Sequence, residues 1–251
     1  MIQAFTTFTA KGSRSFQEDA VLSSPEKGIF VVADGFGGPL PGAAASKNAC
    51  EAVRGFLIKE AGDLEATMPF VLRSYYSLAG NVLFNALIHA NRRLLTENQQ
   101  KGVHERGGAS VLAGFVDGNL LALANVGVCT AWLFRDGKAK ELVMPRTYDR
   151  LYNPFAQGDA REMNSAPGVP LTALGISEDM EPEIFEYRVQ SGDWLLLHTD
   201  GVGAVSREKI FDLYARKRQT SQQAEHLVQE ATQLLAQDSY TDNGAAAIIV
   251  F

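Results

Sequence analysis

The chain has 251 residues, 46% hydrophobic and 21% charged, enough apolar material for a substantial core. Its 29 acidic and 23 basic residues leave a net charge of −6, which speaks against a nucleic-acid binder. Cys50 and Cys129 form no CxxC pair, no apolar run approaches the ~20 residues that span a bilayer, and Met1-Ile2-Gln3-Ala4-Phe5 has no secretory pattern, so a cytoplasmic protein without a membrane partner is expected.

Ile2 to Thr9 is β-branched and aromatic and predicts a first strand. Ala20-Val21-Leu22 and Gly28 to Ala33, separated by Ser-Ser-Pro-Glu-Lys, read as a hairpin, and Gly37-Gly38-Pro39-Leu40-Pro41-Gly42 breaks the pattern. Helices are predicted over Ala43 to Ala61, with Gly62 as a stop, and over Phe70 to Asn98, where apolar residues recur at helical spacing. Strands at 111–116 and 120–124 flank Asp117-Gly118-Asn119, and strands at 131–134 and 139–143 flank Asp136-Gly137, together reading as a four-stranded meander. Residues 144–182 carry Pro145, Pro154, Pro167, Pro170 and Pro182 with poor periodicity, which predicts an irregular flap. Strands at Ile184 to Val189 and Trp194 to His198, helices near 206–217 and 221–236, and a strand from Ala245 to Phe251 close the chain. This order suggests one domain, residues 1–251, with two sheets covered by helix pairs.

Four short acidic segments sit where apolar runs begin or end: Gln17-Glu18-Asp19, Asp34-Gly35-Phe36-Gly37-Gly38, Thr199-Asp200-Gly201 and Thr241-Asp242-Asn243. Carboxylates at strand ends suit hard cations such as Mg²⁺ or Mn²⁺, and glycine after the acid lets a backbone carbonyl approach an ion. Each segment alone also suits an ordinary turn, and Arg14 alone suits an exposed loop. No Gly-Lys-Ser/Thr follows the glycines, so this is not a phosphate-cradling P-loop, and Val202 stands where an aspartyl-phosphate enzyme needs a second Asp.

In combination, Arg14-x-x-x-Glu18-Asp19, Asp34-Gly35-x-Gly37-Gly38, Thr199-Asp200-Gly201 and Asp242-Asn243 resemble the metal-dependent protein phosphatase family of PP2C or PPM type. Gly107-Gly108-Ala109-Ser110 and Ala124-Asn125-Val126-Gly127 are similar to two further family landmarks, so the resemblance runs from about residue 8 to the C-terminus. It implies an α+β fold, a four-layer α-β-β-α sandwich of two mainly antiparallel sheets flanked by helix pairs. It also implies two Mn²⁺ or Mg²⁺ ions bridged by Asp34. Asp200 and Asp242 would complete one coordination sphere, and Glu18 and the Gly35 carbonyl the other. Asp19 would act through metal-bound water, and Arg14 would hold the substrate phosphate. The implied activity is hydrolysis of phosphoserine or phosphothreonine on a protein substrate of a Ser/Thr kinase.

Three departures qualify that picture. Val128 stands where the family carries an acid linked to a third metal, so two ions are expected and the third absent or built differently. Phe36 replaces a histidine that serves some members as a candidate general acid, and Tyr148-Asp149-Arg150 occupies the stretch of a missing Asp-His pair. His198 reads as a core histidine, while His104 and the loop acids Asp159, Glu178 and Asp179 are other candidates for the site. Val128 and Phe36 motivate an alternative, a catalytically weak phosphatase-like module that binds phosphoprotein. A phosphatase specific for a small phosphorylated metabolite is a third reading.

Overall fold

Strands apolar on both faces need cover on both sides, and this chain supplies several. In the computed structural model, which describes residues 2–60, 72–148, 168–217 and 223–251, the elements run β1 (Ala4–Ala10), β2 (Asp19–Ser24), β3 (Ile29–Phe36), α1 (Pro39–Glu60), α2 (Leu78–Gln99), β4 (Gly108–Asp117), β5 (Leu120–Val126), β6 (Thr130–Arg135) and β7 (Lys138–Val143). They continue with β8 (Glu183–Arg188), β9 (Trp194–His198), α3 (Ala204–Lys217), α4 (Ala224–Ala236) and β10 (Gly244–Val250). Two antiparallel sheets form, ordered β1-β10-β9-β6-β7 and β2-β3-β4-β5-β8.

Side-chain alternation divides the strands among three apolar layers. On β3, Ile29, Val31 and Ala33 meet α1 and α2, whereas Phe30 and Val32 face the other sheet. On β10, Ala247 and Ile249 enter the gap between the sheets, while Ala246, Ile248 and Val250 pack under α3 and α4. The result is the expected α-β-β-α sandwich. Helix α1 turns the small residues Ala45, Ala49 and Ala52, with Val53 and Leu57, onto its sheet.

Three sequence expectations are corrected. Helix α1 begins at Pro39 rather than Ala43, because the first turn has no use for the missing proline N–H and Gly42 already donates to the Gly38 carbonyl at 2.7 Å. Helix α2 begins at Leu78 rather than Phe70. The Asn81 side chain accepts the Arg73 N–H and donates to the carbonyls of Arg73, Tyr76 and Ser77, holding this stretch as a turn, while Ser77 caps the helix by accepting the Gly80 N–H. The four central strands are not one meander. Both hairpins form, with Gly118, Asp136 and Gly137 at positive φ, but β5 pairs onward with β8 and β6 with β9, in different sheets. The chain changes sheets at Gly127, whose φ of 102° and closeness to Ser110 exclude a side chain.

Of the predicted flap, residues 168–182 dock on the sandwich: Asn91 receives the Gly175 N–H and donates to the Ser177 carbonyl. Residues 149–167, with Asp149, Arg150 and Asp159, lie outside the described residues, as does Gly62.

Candidate metal centre

The alternation that fills the gap between the sheets also aims the acids. Asp34 follows Phe30 and Val32 on the gap face of β3, and its cross-strand partner on β2 is Asp19. Thr199, just past β9, comes from the opposite sheet and donates its hydroxyl to Asp19 Oδ2 at 2.6 Å, while Thr199 Oγ1 itself accepts the Ala245 N–H. Thr199 thus ties β9, β10 and β2 at the mouth of the gap. Asp200 follows it directly.

The other acids arrive on loops laced to one another. Asn243 donates to the carbonyls of Lys11 and Phe16, each at 2.8 Å, and accepts the Glu18 N–H at 2.8 Å. Ser13 donates to the Thr241 carbonyl at 2.7 Å. These bonds place the loop carrying Arg14 and Glu18 beside the loop carrying Asp242, and Arg14 Nη2 meets Asp242 Oδ2 at 2.5 Å. The Gly35 N–H donates to the Glu18 carbonyl, and a Cβ at Gly35 would strike both that carbonyl and the one of Gly42. The Glu18 carboxylate in turn lies against Gly42 in the first turn of α1.

The charges register this crowding. Burial pushes the Asp34 carboxyl well above the ordinary range, with repulsion from Asp200 and Asp19 adding to it. Asp19 is raised by burial against the relief that Thr199 gives. Asp200 is raised by burial and then by Asp242; Glu18 is raised by burial, although Arg14 opposes the shift. Arg14 is raised by its bond to Asp242 and feels Glu18 and Asp200 as well. Among the described residues it is the basic group whose charge these acids feel.

Among the described residues, no three His, Cys, Asp or Glu side chains stand close enough as they lie to grip one ion. The acids are within electrostatic range of one another without having closed to ligating distance. The donor set nevertheless fits a hard divalent pair: all oxygen, a backbone carbonyl at Gly35, and more negative charge than Arg14 balances.

His198 is a core residue, as expected. It is 4% exposed, Nδ1 lies 2.7 Å from the Thr199 carbonyl and Nε2 2.8 Å from the Thr130 hydroxyl, and burial lowers it to about 4. His104 sits exposed on the 3-10 turn Val103–Glu105, and Glu178 and Asp179 are exposed. Val128 is buried. The supporting roles of Thr199 and Asn243 escaped the sequence reading; their only signal was a hydroxyl and an amide beside two of the acids.

None of the curated proteins matches the sequence. A family model described as Stage II sporulation protein E matches residues 153–247, less than half of the chain. Solved structures match along the whole length. The PPM Ser-Thr phosphatase MsPP from Mycobacterium smegmatis, in complex with cacodylate, is 21% identical, with TM-score 0.76 over 100% of this chain and 99% of that one. The serine/threonine phosphatase Stp1 from Staphylococcus aureus is 20% identical, with TM-score 0.77 over 100% of this chain and 95% of that one. The catalytic domain of the serine threonine protein phosphatase PstP, in complex with two manganese ions, is 20% identical, with TM-score 0.74 over 98% and 97%. From end to end, the chain has the fold of the PPM serine/threonine phosphatases.

Proposed function

We propose that the chain is a single-domain, Mn²⁺- or Mg²⁺-dependent phosphatase acting on phosphoserine or phosphothreonine of a protein substrate. The observation that carries this reading is the convergence of Asp19, Asp34, Asp200 and Asp242 at the mouth of the intersheet gap, where burial and neighbouring carboxylates raise Asp19, Asp34 and Asp200. Acids arranged at such cost to the metal-free protein are a functional signature. Asp34, Asp200 and Asp242 would hold one ion; Asp34, Glu18 and the Gly35 carbonyl would hold the other. When bound, the pair supplies positive charge for the phosphoryl oxygens and a water acidified enough to attack phosphorus.

The chain's own residues do the rest. Asp19, fixed by Thr199, orients water at the mouth and accepts its proton. Arg14 offers a forked donor to phosphate oxygens once Asp242 is engaged by an ion. Gly35 and Gly42 allow the Glu18 loop and α1 to close on the site without a side chain between them. Both cysteines are free and buried, in keeping with a reducing cytoplasm, and no helix among the described residues is long and apolar enough to cross a membrane.

Hydrolysis of p-nitrophenyl phosphate with Mn²⁺, abolished by EDTA and by Asp34→Asn, tests the reading; calorimetry counts the ions. A phosphoprotein-binding module with little turnover is the second reading. It is favoured by Val128, by Phe36 and by the hold of Arg14 on Asp242. Metal uptake without turnover would select it.

A further inference from the structure

At the end of β3, the strand that carries Asp34, lies a cavity of 310 Å³ lined by none of the acids. Phe36 forms one wall, and it sits two residues beyond Asp34 on the same strand, ~7 Å along β3. Leu95 and Ile176 complete an apolar lining, and Arg106 and Gln99 stand at its edge. The cavity is preformed. Asn98 donates to the carbonyls of Gly107 and Gly175 and accepts the Gly107 N–H, so one buried side chain pins the end of α2, the entry to β4 and the docked part of the flap around a common floor. Arg106 is exposed and spends only its Nε, on the Lys101 carbonyl; among the described residues it has no carboxylate partner.

We infer that this cavity is a substrate subsite that takes an acidic side chain two residues from the phosphoserine or phosphothreonine, with the carboxylate on Arg106. The inference rests on the phosphatase reading and names its preferred substrate class. An extended peptide advances ~3.3 Å per residue, so a side chain two positions from the phosphoresidue reaches ~7 Å along, and alternation returns it to the same face. A glutamate matches the lining: its two methylenes lie against Phe36 and Leu95, and its charge meets a guanidinium without an existing partner. A lysine there would oppose Arg106.

The test is a set of phosphoserine peptides carrying Glu, Ala or Lys two positions before or after the phosphoserine, assayed for kcat/KM with Mn²⁺. At one of the two positions the wild-type protein should prefer Glu to Lys by about tenfold. Arg106→Glu should invert that preference and Arg106→Gln should flatten it; comparison within each protein cancels any change in basal rate. A flat wild-type profile, or a Glu preference that survives Arg106→Glu, overturns the inference. Hydrolysis of p-nitrophenyl phosphate by the wild-type protein reports separately on the phosphatase reading. If that hydrolysis fails, fluorescence anisotropy with the same peptides measures the same preference as binding, with the same outcomes deciding.

Discussion

Replacing Asp34 by Asn should stabilise the metal-free protein while removing its response to manganese. In the folded chain Asp34 is held up to about 9 from an ordinary value near 3.8, chiefly by burial and then by Asp200 and Asp19. A carboxyl raised by folding contributes stability that is complete below its unfolded pKa and is lost as pH rises toward the folded one. Each unit of that interval costs about 1.4 kcal/mol, giving an upper bound of roughly 5 kcal/mol at pH 7.5. Asp19 contributes to that rise and titrates together with Asp34, so much of the cost belongs to the pair, and about 2 kcal/mol is the part that neutralising Asp34 recovers. Asparagine keeps the shape. For a chain of this length about 2 kcal/mol corresponds to roughly 4–8 °C in Tm. Thermal unfolding followed by circular dichroism in EDTA should therefore show the variant more stable at pH 7.5 and nearly equal to wild type at pH 4.5. Added Mn²⁺ should raise Tm of the wild type and leave the variant unmoved. A variant less stable than wild type in EDTA at pH 7.5, or one with an undiminished Mn²⁺ shift, would refute the claim that crowded charge at Asp34 marks an ion site.

Asn243→Ala removes the three bonds that fix Lys11, Phe16 and Glu18, and should cost about 2–4 kcal/mol in urea unfolding while weakening Mn²⁺ binding in calorimetry. Thr199→Val keeps the shape but leaves Asp19 and the Ala245 N–H without their partner; it should cost about 1–3 kcal/mol and shift the pH dependence of turnover upward, since Asp19 loses the bond that holds it down. Val128→Asp should change either the number of ions bound or the turnover, and if both stay as in the wild type the explanation for a missing third ion falls. Arg14→Gln should raise KM for phosphopeptides and tighten Mn²⁺ severalfold, because it frees Asp242 from an exposed ion pair worth under about 1 kcal/mol; weaker Mn²⁺ binding would contradict the competition.

Much of the fold could be read from local pattern. The apolar runs of β3 and β10, the apolar spacing within α1 and α2, and the Asp-Gly turns at 117–118 and 136–137 are short-range signals; the strands and turns stand where expected, and the helices with shifted starts. What could not be read depends on distant partners. Whether β5 continues into β6 as a meander depends on β8 and β9, strands that come some sixty residues later and claim the free edges. The start of α2 depends on where the Asn81 amide points, which composition does not encode. The acids themselves were legible because strand-end carboxylates are poor packing residues and stand out. Thr199 and Asn243 were not, since a threonine and an asparagine in turns are ordinary until the other sheet and the N-terminal loop are brought against them.

The position of the acids follows from parity and from the two-sheet architecture together. Once Phe30 and Val32 commit to the gap, Asp34 two residues on must enter it as well, and the same holds for Asp19 beside Val21 on β2. Leu195 and Leu197 set Thr199 on the gap face from the opposite sheet. The hydrophobic contacts that join the sheets therefore also drive carboxylates together at its open end, where they repel. Separating them would require a register slip that turns Phe30 and Val32 away from the core, so the repulsion is retained. Arg14 offsets part of it from outside by engaging Asp242, and the remainder is the negative charge on which the proposed ion pair rests.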